Sequence, residues 1–283
     1  MPDPRPAVTS SPYDVVGKTI DEEQADMVAG TTTAQQITRA YLDRIAAYDQ
    51  GQFGFNSFEY VAKDAMAQAK AADDARAAGQ TGQLLGIPIG VKNLYDTKDM
   101  PTTNGSLTFE GFQPAKDAYQ VGKLRAAGAV IIGKTALEEY ATSGNYSNDP
   151  WGQVWNAFNP SKSAIASSGG SATATALSFD AAALGSQTGD SLYGPSSGAS
   201  LVSLRGTDGL ESGSGIMPLS FLTDFGGAIA RSVPDLADIL DVVAGTDPGD
   251  PTSAPPARFA ATAVAEPPLE ASADFDGWNA FQT

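Results

Sequence analysis

Between Thr19 and Gln50 the apolar residues recur every three or four positions, the spacing that lines one face of an α-helix. Thr19 with Glu22, and Thr33 with Gln36, have capping-box spacing, and Gly30 sits where the first of two helices should stop. In the second helix Ile37, Tyr41, Ile45 and Tyr48 fall on one face, which is expected to pack on the body of the protein. An alanine-rich third helix is predicted from about Val61 to Ala78, closed by Gly79.

From Gly86 the pattern changes to short, continuous apolar runs alternating with helical segments. GIPIGVKN reads as a strand ending at Lys92, QVGKLRAAG as a helix closed by Gly128, and AVIIGK as the next strand. SSGGSATATALSF opens a helix from a Gly/Ser turn, and AAALGSQTGDS reads as a strand running into a turn at Ser191. Strand, helix and strand in this order predict a three-layer α/β/α domain around a mainly parallel mixed sheet. In such sheets chemistry gathers at the carboxyl ends of strands, where Lys92 and Ser191 both fall. A later helix from Val233 to Ala244 carries Leu236, Ile239, Leu240 and Val243 on one face and ends at Gly245. From Asp247 the chain turns rich in proline, alanine and acid, with Phe275, Trp278 and Phe281 near its end. The expected division is an N-terminal extension over 1–18, one domain over 19–250 and a linker or tail over 251–283.

Charge narrows the choice of partner. Seventeen basic against 33 acidic residues give a net charge of -16, which repels a phosphate backbone, so nucleic acid is not an expected partner. No apolar run is long enough to cross a bilayer, and the start, MPDPRPAVTSSPYD, has neither the basic nor the apolar region of a signal peptide. A cytoplasmic protein is the expectation, with secretion left open; Asn104 and Asn145 head two sequons that matter only in that second case. The chain has no cysteine and no histidine, which removes disulfides, thiol nucleophiles and thiolate metal sites.

The missing histidine sharpens a question about GSQTGDS, which looks like a tight turn presenting a nucleophile: a serine hydroxyl needs a base. Ser167-Ser168-Gly169-Gly170-Ser171 could hold an anion at its helix start, although such an entry alone is more often a plain cap. Gly128 to Thr135 satisfies the phosphate-loop pattern G-x-x-x-x-G-K-[ST], but its variable positions, Ala129 to Ile132, are themselves the predicted strand, so a structural reading is favoured.

Taken together, GIPIGVKNLYDT, TTNGS, GAVIIGKTALEEYA, SSGGSA, TGDS and SLRGTDGLESGSGIMPLS resemble the amidase signature family of serine amide hydrolases, over about Thr19 to Pro251. The resemblance implies a Ser-Ser-Lys triad of Lys92, Ser167 and Ser191, and an oxyanion hole from the backbone of Thr188, Gly189, Asp190 and Ser191. It implies hydrolysis of a small linear carboxamide through an acyl-enzyme on Ser191, without cofactor or metal; a homo-oligomer is a separate expectation, from the sheet edge that so short a fold would expose. Lysine is a base only when neutral, so Lys92 is expected to be buried beside Ile87, Ile89 and Val91, which would lower its pKa.

Two features depart from the family pattern. Many members have Gly-Gly-Ser-Ile-Arg where this chain has Gly189-Asp190-Ser191-Leu192-Tyr193, so a carboxylate adjoins the expected oxyanion and an arginine is gone. Asp224 and Arg231 match a motif that lines or braces the family's site, and a structural salt link is at least as fitting for each. Family members also usually continue well beyond this length, which suggests a C-terminally truncated fold. Two alternatives therefore stay open: an amidase-like remnant without a pocket, and, less favoured, the A-type component of a glutamyl-tRNA amidotransferase.

Overall fold

The computed structural model describes residues 10–51 and 53–253. Among the described residues eight strands form, β1 (Phe58–Val61), β2 (Pro88–Lys92), β3 (Val130–Thr135), β4 (Asn148–Asp149), β5 (Gly152–Gln153), β6 (Ala182–Gln187), β7 (Val202–Ser203) and β8 (Phe225–Ala230). Six of them make one sheet in the order β1-β3-β2-β6-β8-β7, and β4 pairs with β5 in a separate small ladder. The centre is parallel, β2 lying between β3 and β6, while β1 and β8 run antiparallel to their neighbours. Strand β7 is antiparallel to β8 and so shares the direction of β6. The expected mainly parallel, mixed sheet is what forms.

Burial explains the parallel centre. Ile87, Ile89, Val91, Val130, Ile131, Ile132 and Leu184 are all buried, so both faces of these strands are covered and their sequence reads as continuous apolar runs. Helices α1 (Ile20–Val28), α2 (Ala34–Arg44), α3 (Ala65–Ala77), α4 (Tyr119–Ala126), α5 (Gly169–Ala176), α6 (Tyr193–Gly198) and α7 (Val233–Val243) surround the sheet. A Cβ at Gly185 would meet Ser168 and Leu192, whereas one at Gly226 would meet Gln120 of α4, so elements close on both faces.

The caps follow the sequence with one variation. Thr19 and Glu22 close a full capping box on α1. At α2, Thr33 accepts from the Gln36 N–H, but the Gln36 side chain is taken by Thr32 instead of returning the bond. Ile37, Tyr41 and Ile45 are buried and Tyr48 is half-buried, as the spacing predicts, although Ile45–Asp49 winds as a π-turn.

Three strands of the main sheet differ from the sequence expectation. Val61 belongs to β1 rather than to a helix, because Phe58–Val61 pairs with β3 across Tyr60 and Lys134, and helix α3 starts only at Ala65. Strands β7 and β8 carry no periodic signal of their own and emerge only in the structure. At the end of the described residues Asp247 and Ser253 are buried, with the Asp247 N–H donating to Ser253 Oγ, so packing continues through Ser253. Phe275, Trp278 and Phe281 lie outside the described residues.

Arg231 ties the N-terminal helices to the sheet. Its guanidinium donates to the carbonyls of Lys18, Thr175 and Asp180, and to Tyr41 Oη. Tyr41 Oη in turn donates to Glu23 Oε1 at 2.5 Å. Desolvation pushes the Glu23 carboxyl up to about 7 and the Asp180 carboxyl up to about 8, against the hydrogen bonds from Tyr41 and Thr175 that favour their ionised forms. A raised carboxyl contributes stability that is full below the ordinary carboxylate range and is lost as pH rises through its folded value. Lys92 and Lys134, both pushed down to about 7 by burial, act in the opposite sense and only above that value. The melting temperature is therefore expected to fall between roughly pH 5 and pH 7, to level off up to about pH 8 as the two effects oppose each other, and to recover above that. Scanning calorimetry checks this, and Glu23→Gln should reduce the slope.

Candidate active site

Strand β2 delivers Lys92 to the carboxyl end of the parallel centre, where the segment entering α5 crosses above it. The Lys92 side-chain nitrogen lies 2.6 Å from Ser167 Oγ, 3.0 Å from Ser168 Oγ and 2.9 Å from Ser186 Oγ. Lys92 and Ser167 are both fully buried. Burial pushes the Lys92 pKa down to about 7, outweighing Glu138 and Asp224, whose charges favour the ammonium. No carboxylate among the described residues forms an ion pair with it. Three contacts suit a neutral amine, which has two N–H donors and one lone pair.

The glycines of SSGG permit this approach. A Cβ on Gly170 would run into the carbonyl oxygens of Ala136 and Ser57, and one on Gly169 would strike Ser147. Helix α5 can therefore sit directly against the end of β3, where Ser171 Oγ also shares a 2.7 Å hydrogen bond with Thr135 Oγ1. The Ala166–Ser167 peptide is cis.

Ser191 follows β6 in the turn before α6 and is buried. The Gln187 side chain accepts from the N–H groups of Leu192 and Tyr193 at 3.0 and 3.2 Å, which closes the turn from within. None of the N–H groups of Thr188, Gly189, Asp190 and Ser191 donates to another described residue. Four donors thus remain free in the segment expected to supply an oxyanion hole. Thr188 Oγ1 donates to Asp224 at 2.5 Å, and Asp224 also accepts from the N–H groups of Leu219 and Ser220, so Asp224 braces the turn. Asp190 lies against Gly144, where a Cβ would meet its Oδ1 at 2.6 Å.

The structure brings Lys92 and Ser167 into contact and places Ser191 on the neighbouring turn. Among the described residues no side-chain hydrogen bond joins Ser167 to Ser191. Arg231 belongs to the distant cluster behind the sheet and takes no part here. Lys134 of the phosphate-loop pattern is buried, its Nζ donating to the Tyr95 and Pro101 carbonyls and the Thr97 and Thr102 hydroxyls, which fits the structural reading. Asn104 is buried, so its sequon presents no accessible acceptor.

The sequence assigns Ser168, Ser186 and Glu138 no place around the amine, and Gln187 no part in closing the turn. Ser168 and Ser186 adjoin motif residues, but nothing in the letters says which hydroxyl faces the amine. Beside the turn lies a cavity of about 320 Å³, lined by Ser186, Gln187 and Thr188 of the turn and by Ile216, Met217 and Phe225. Phe221 and Leu222 stand almost fully exposed at its rim, at 89% and 87%.

The comparisons agree with the motif reading. A family model for amidases matches residues 36–271. The A-type component of the glutamyl-tRNA(Gln) amidotransferase of Acidothermus cellulolyticus is 39% identical over 242 residues, 85% of this chain and 47% of that protein. Its counterpart in Thermobifida fusca is 41% identical over 231 residues, 81% of this chain and 46% of the relative. Among solved structures, the peptide amidase of Stenotrophomonas maltophilia superposes with a TM-score of 0.81 at 37% identity, covering 86% of this chain and 51% of that one. An amidase family protein of Bacillus anthracis gives 0.81 at 33% identity, covering 84% and 49%. The chain spans about half the length of the curated relatives it matches.

The close contact at Gly170 has a direct test. Gly170→Ala must push α5 away from Ala136 and Ser57 and is expected to cost about 1–3 kcal/mol, read by urea denaturation.

Proposed function

The chain belongs to the amidase family, and we propose that it cleaves the carbon–nitrogen bond of a linear carboxamide through an acyl-enzyme on Ser191. The observation that carries this reading is the buried Lys92 amine, 2.6 Å from Ser167 Oγ and without a carboxylate partner. A lysine so placed is neutral in an appreciable fraction near pH 7 and can act as a base.

In the proposed cycle Ser191 Oγ attacks the amide carbonyl as its proton passes to Ser167, and the Ser167 proton passes to Lys92. Ser167 and Ser191 must come within hydrogen-bond reach once substrate is bound. The carbonyl oxygen becomes an oxyanion among the free N–H groups of the Thr188 to Ser191 turn. When the carbon–nitrogen bond breaks, the relay runs backwards and Ser167 protonates the departing amine. Water, losing a proton to the same relay, then attacks the acyl ester and frees the acid and Ser191. The proton inventory closes within these three side chains and water, so the mechanism calls for no cofactor.

A second reading has its own support in the relatives named as amidotransferase components, in which the chain would release ammonia for a transfer-RNA-linked partner. Against it stand the net charge of -16 and Tyr193 at the position where many members keep arginine. Glutamine hydrolysis stimulated by such a partner would favour it.

Fluorophosphonate labelling followed by peptide mapping tests the main reading. Ser191 is expected to be labelled, at a rate that rises with pH and levels off above about 7, as Lys92 loses its proton. Lys92→Ala should lower that rate by about a hundredfold or more. A folded, soluble chain whose Ser191 stays unlabelled would instead be a non-catalytic remnant.

A further inference from the structure

The cavity beside the nucleophile turn contains one group that the mechanism leaves idle. Glu211 lines it, is only 8% exposed, and has a buried Oε2 without a hydrogen-bond partner. Its backbone is fixed, since Glu211 bridges to Ala244 and Leu210 O accepts from the Gly245 N–H at 3.0 Å.

Building on the amidase reading, we infer that this cavity takes a cationic group of the substrate, an ammonium on an amide, with Glu211 as its counter-charge. The other acids lining the cavity are already engaged. Asp208 pairs with Arg205 at 2.5 Å, Asp224 holds Thr188, Leu219 and Ser220, and Asp250 accepts from the Gly213 and Thr252 N–H groups. Asp247, just behind, is held by Ser212. Tyr95 lies within electrostatic range of Glu211, but its hydroxyl already donates to the Gly185 carbonyl at 2.6 Å. No lysine or arginine is among the described lining residues.

A carboxyl buried this way is costly when ionised and unpaired, so without a ligand it keeps its proton. Desolvation alone pushes it up to about 8. An ammonium entering the cavity supplies the missing charge, Glu211 ionises, and its proton leaves to solvent. The apolar walls at Leu94, Ile216 and Met217 suit the hydrocarbon arm of such a substrate, and they strengthen the ion pair by excluding water.

Isothermal titration of the full chain carrying Ser191→Ala, which cannot turn the probes over, at neutral pH with hexanamide and with its ω-amino derivative, in two buffers of different ionisation enthalpy, tests the inference, with Ser191 labelling read on the parent chain. The amino derivative is expected to bind about tenfold tighter and to release a proton, while hexanamide releases none. Glu211→Gln keeps the shape and a neutral group, so it should leave hexanamide binding and Ser191 labelling unchanged and abolish the preference. Equal binding of the two probes, failure of either to bind, binding without proton release, or a preference that survives Glu211→Gln overturns the inference. An intact preference with Ser191 unlabelled supports the cation site and counts against the hydrolase reading, so the two failures are distinguishable.

Discussion

An amine buried without a counter-ion is the constraint around which this molecule is arranged. Lys92 ends the central strand of the sheet, and every nearby solution to its desolvation is a hydroxyl: Ser167, Ser168 and Ser186. A carboxylate in their place would hold the ammonium charged and leave no lone pair free to accept a proton. Glu138, the foremost of the acids acting on it, is itself occupied by the N–H groups of Ser143 and Gly144. The low pKa of Lys92 is thus a property of the surrounding fold, since it needs the parallel centre to be covered on both faces.

That covering depends on backbone contacts with little tolerance. Gly170 admits the start of α5 against Ala136 and Ser57, and Gly185 admits Ser168 and Leu192 against β6. On the other side of the turn, Gln187 satisfies two N–H groups and leaves the four before them free. Donors are created here by withholding partners, and Asp224 keeps the turn from collapsing onto itself.

Much of this is legible in the sequence because its causes are local. The caps at Thr19 and Thr33, the stops at Gly30 and Gly128, and the apolar runs of β2, β3 and β6 are all written in short segments. Strand β1 is easily misread because four residues beside an alanine-rich stretch carry little pattern of their own, and their strand character comes from pairing with β3. Strand β8 escapes notice because Gly226 and Gly227 dilute its propensity; burial under Gln120 and Leu192 decides it instead. At the candidate site, motif letters bring Lys92 together with Ser167 across 75 positions. The letters could not show that Ser168 and Ser186 also face the amine, or that Arg231 turns away to carbonyls behind the sheet. Those outcomes depend on side-chain direction, which neighbouring strands determine.

Strands β2 and β3 each bury a lysine, one register apart, and the contrast separates an anchor from the proposed base. Lys134 is ringed by two peptide carbonyls as well as two hydroxyls. A carbonyl oxygen can receive a hydrogen bond but has no proton to surrender, so even a neutral Lys134 would find little to abstract at those two contacts. All three contacts of Lys92 are alcohols, and each can return a proton as well as accept one. Two amines of similar acidity thus differ in their neighbours: carbonyl oxygen that only receives helps rivet Lys134 in place, and hydroxyl oxygen that can also give suits the proton conductor proposed at Lys92.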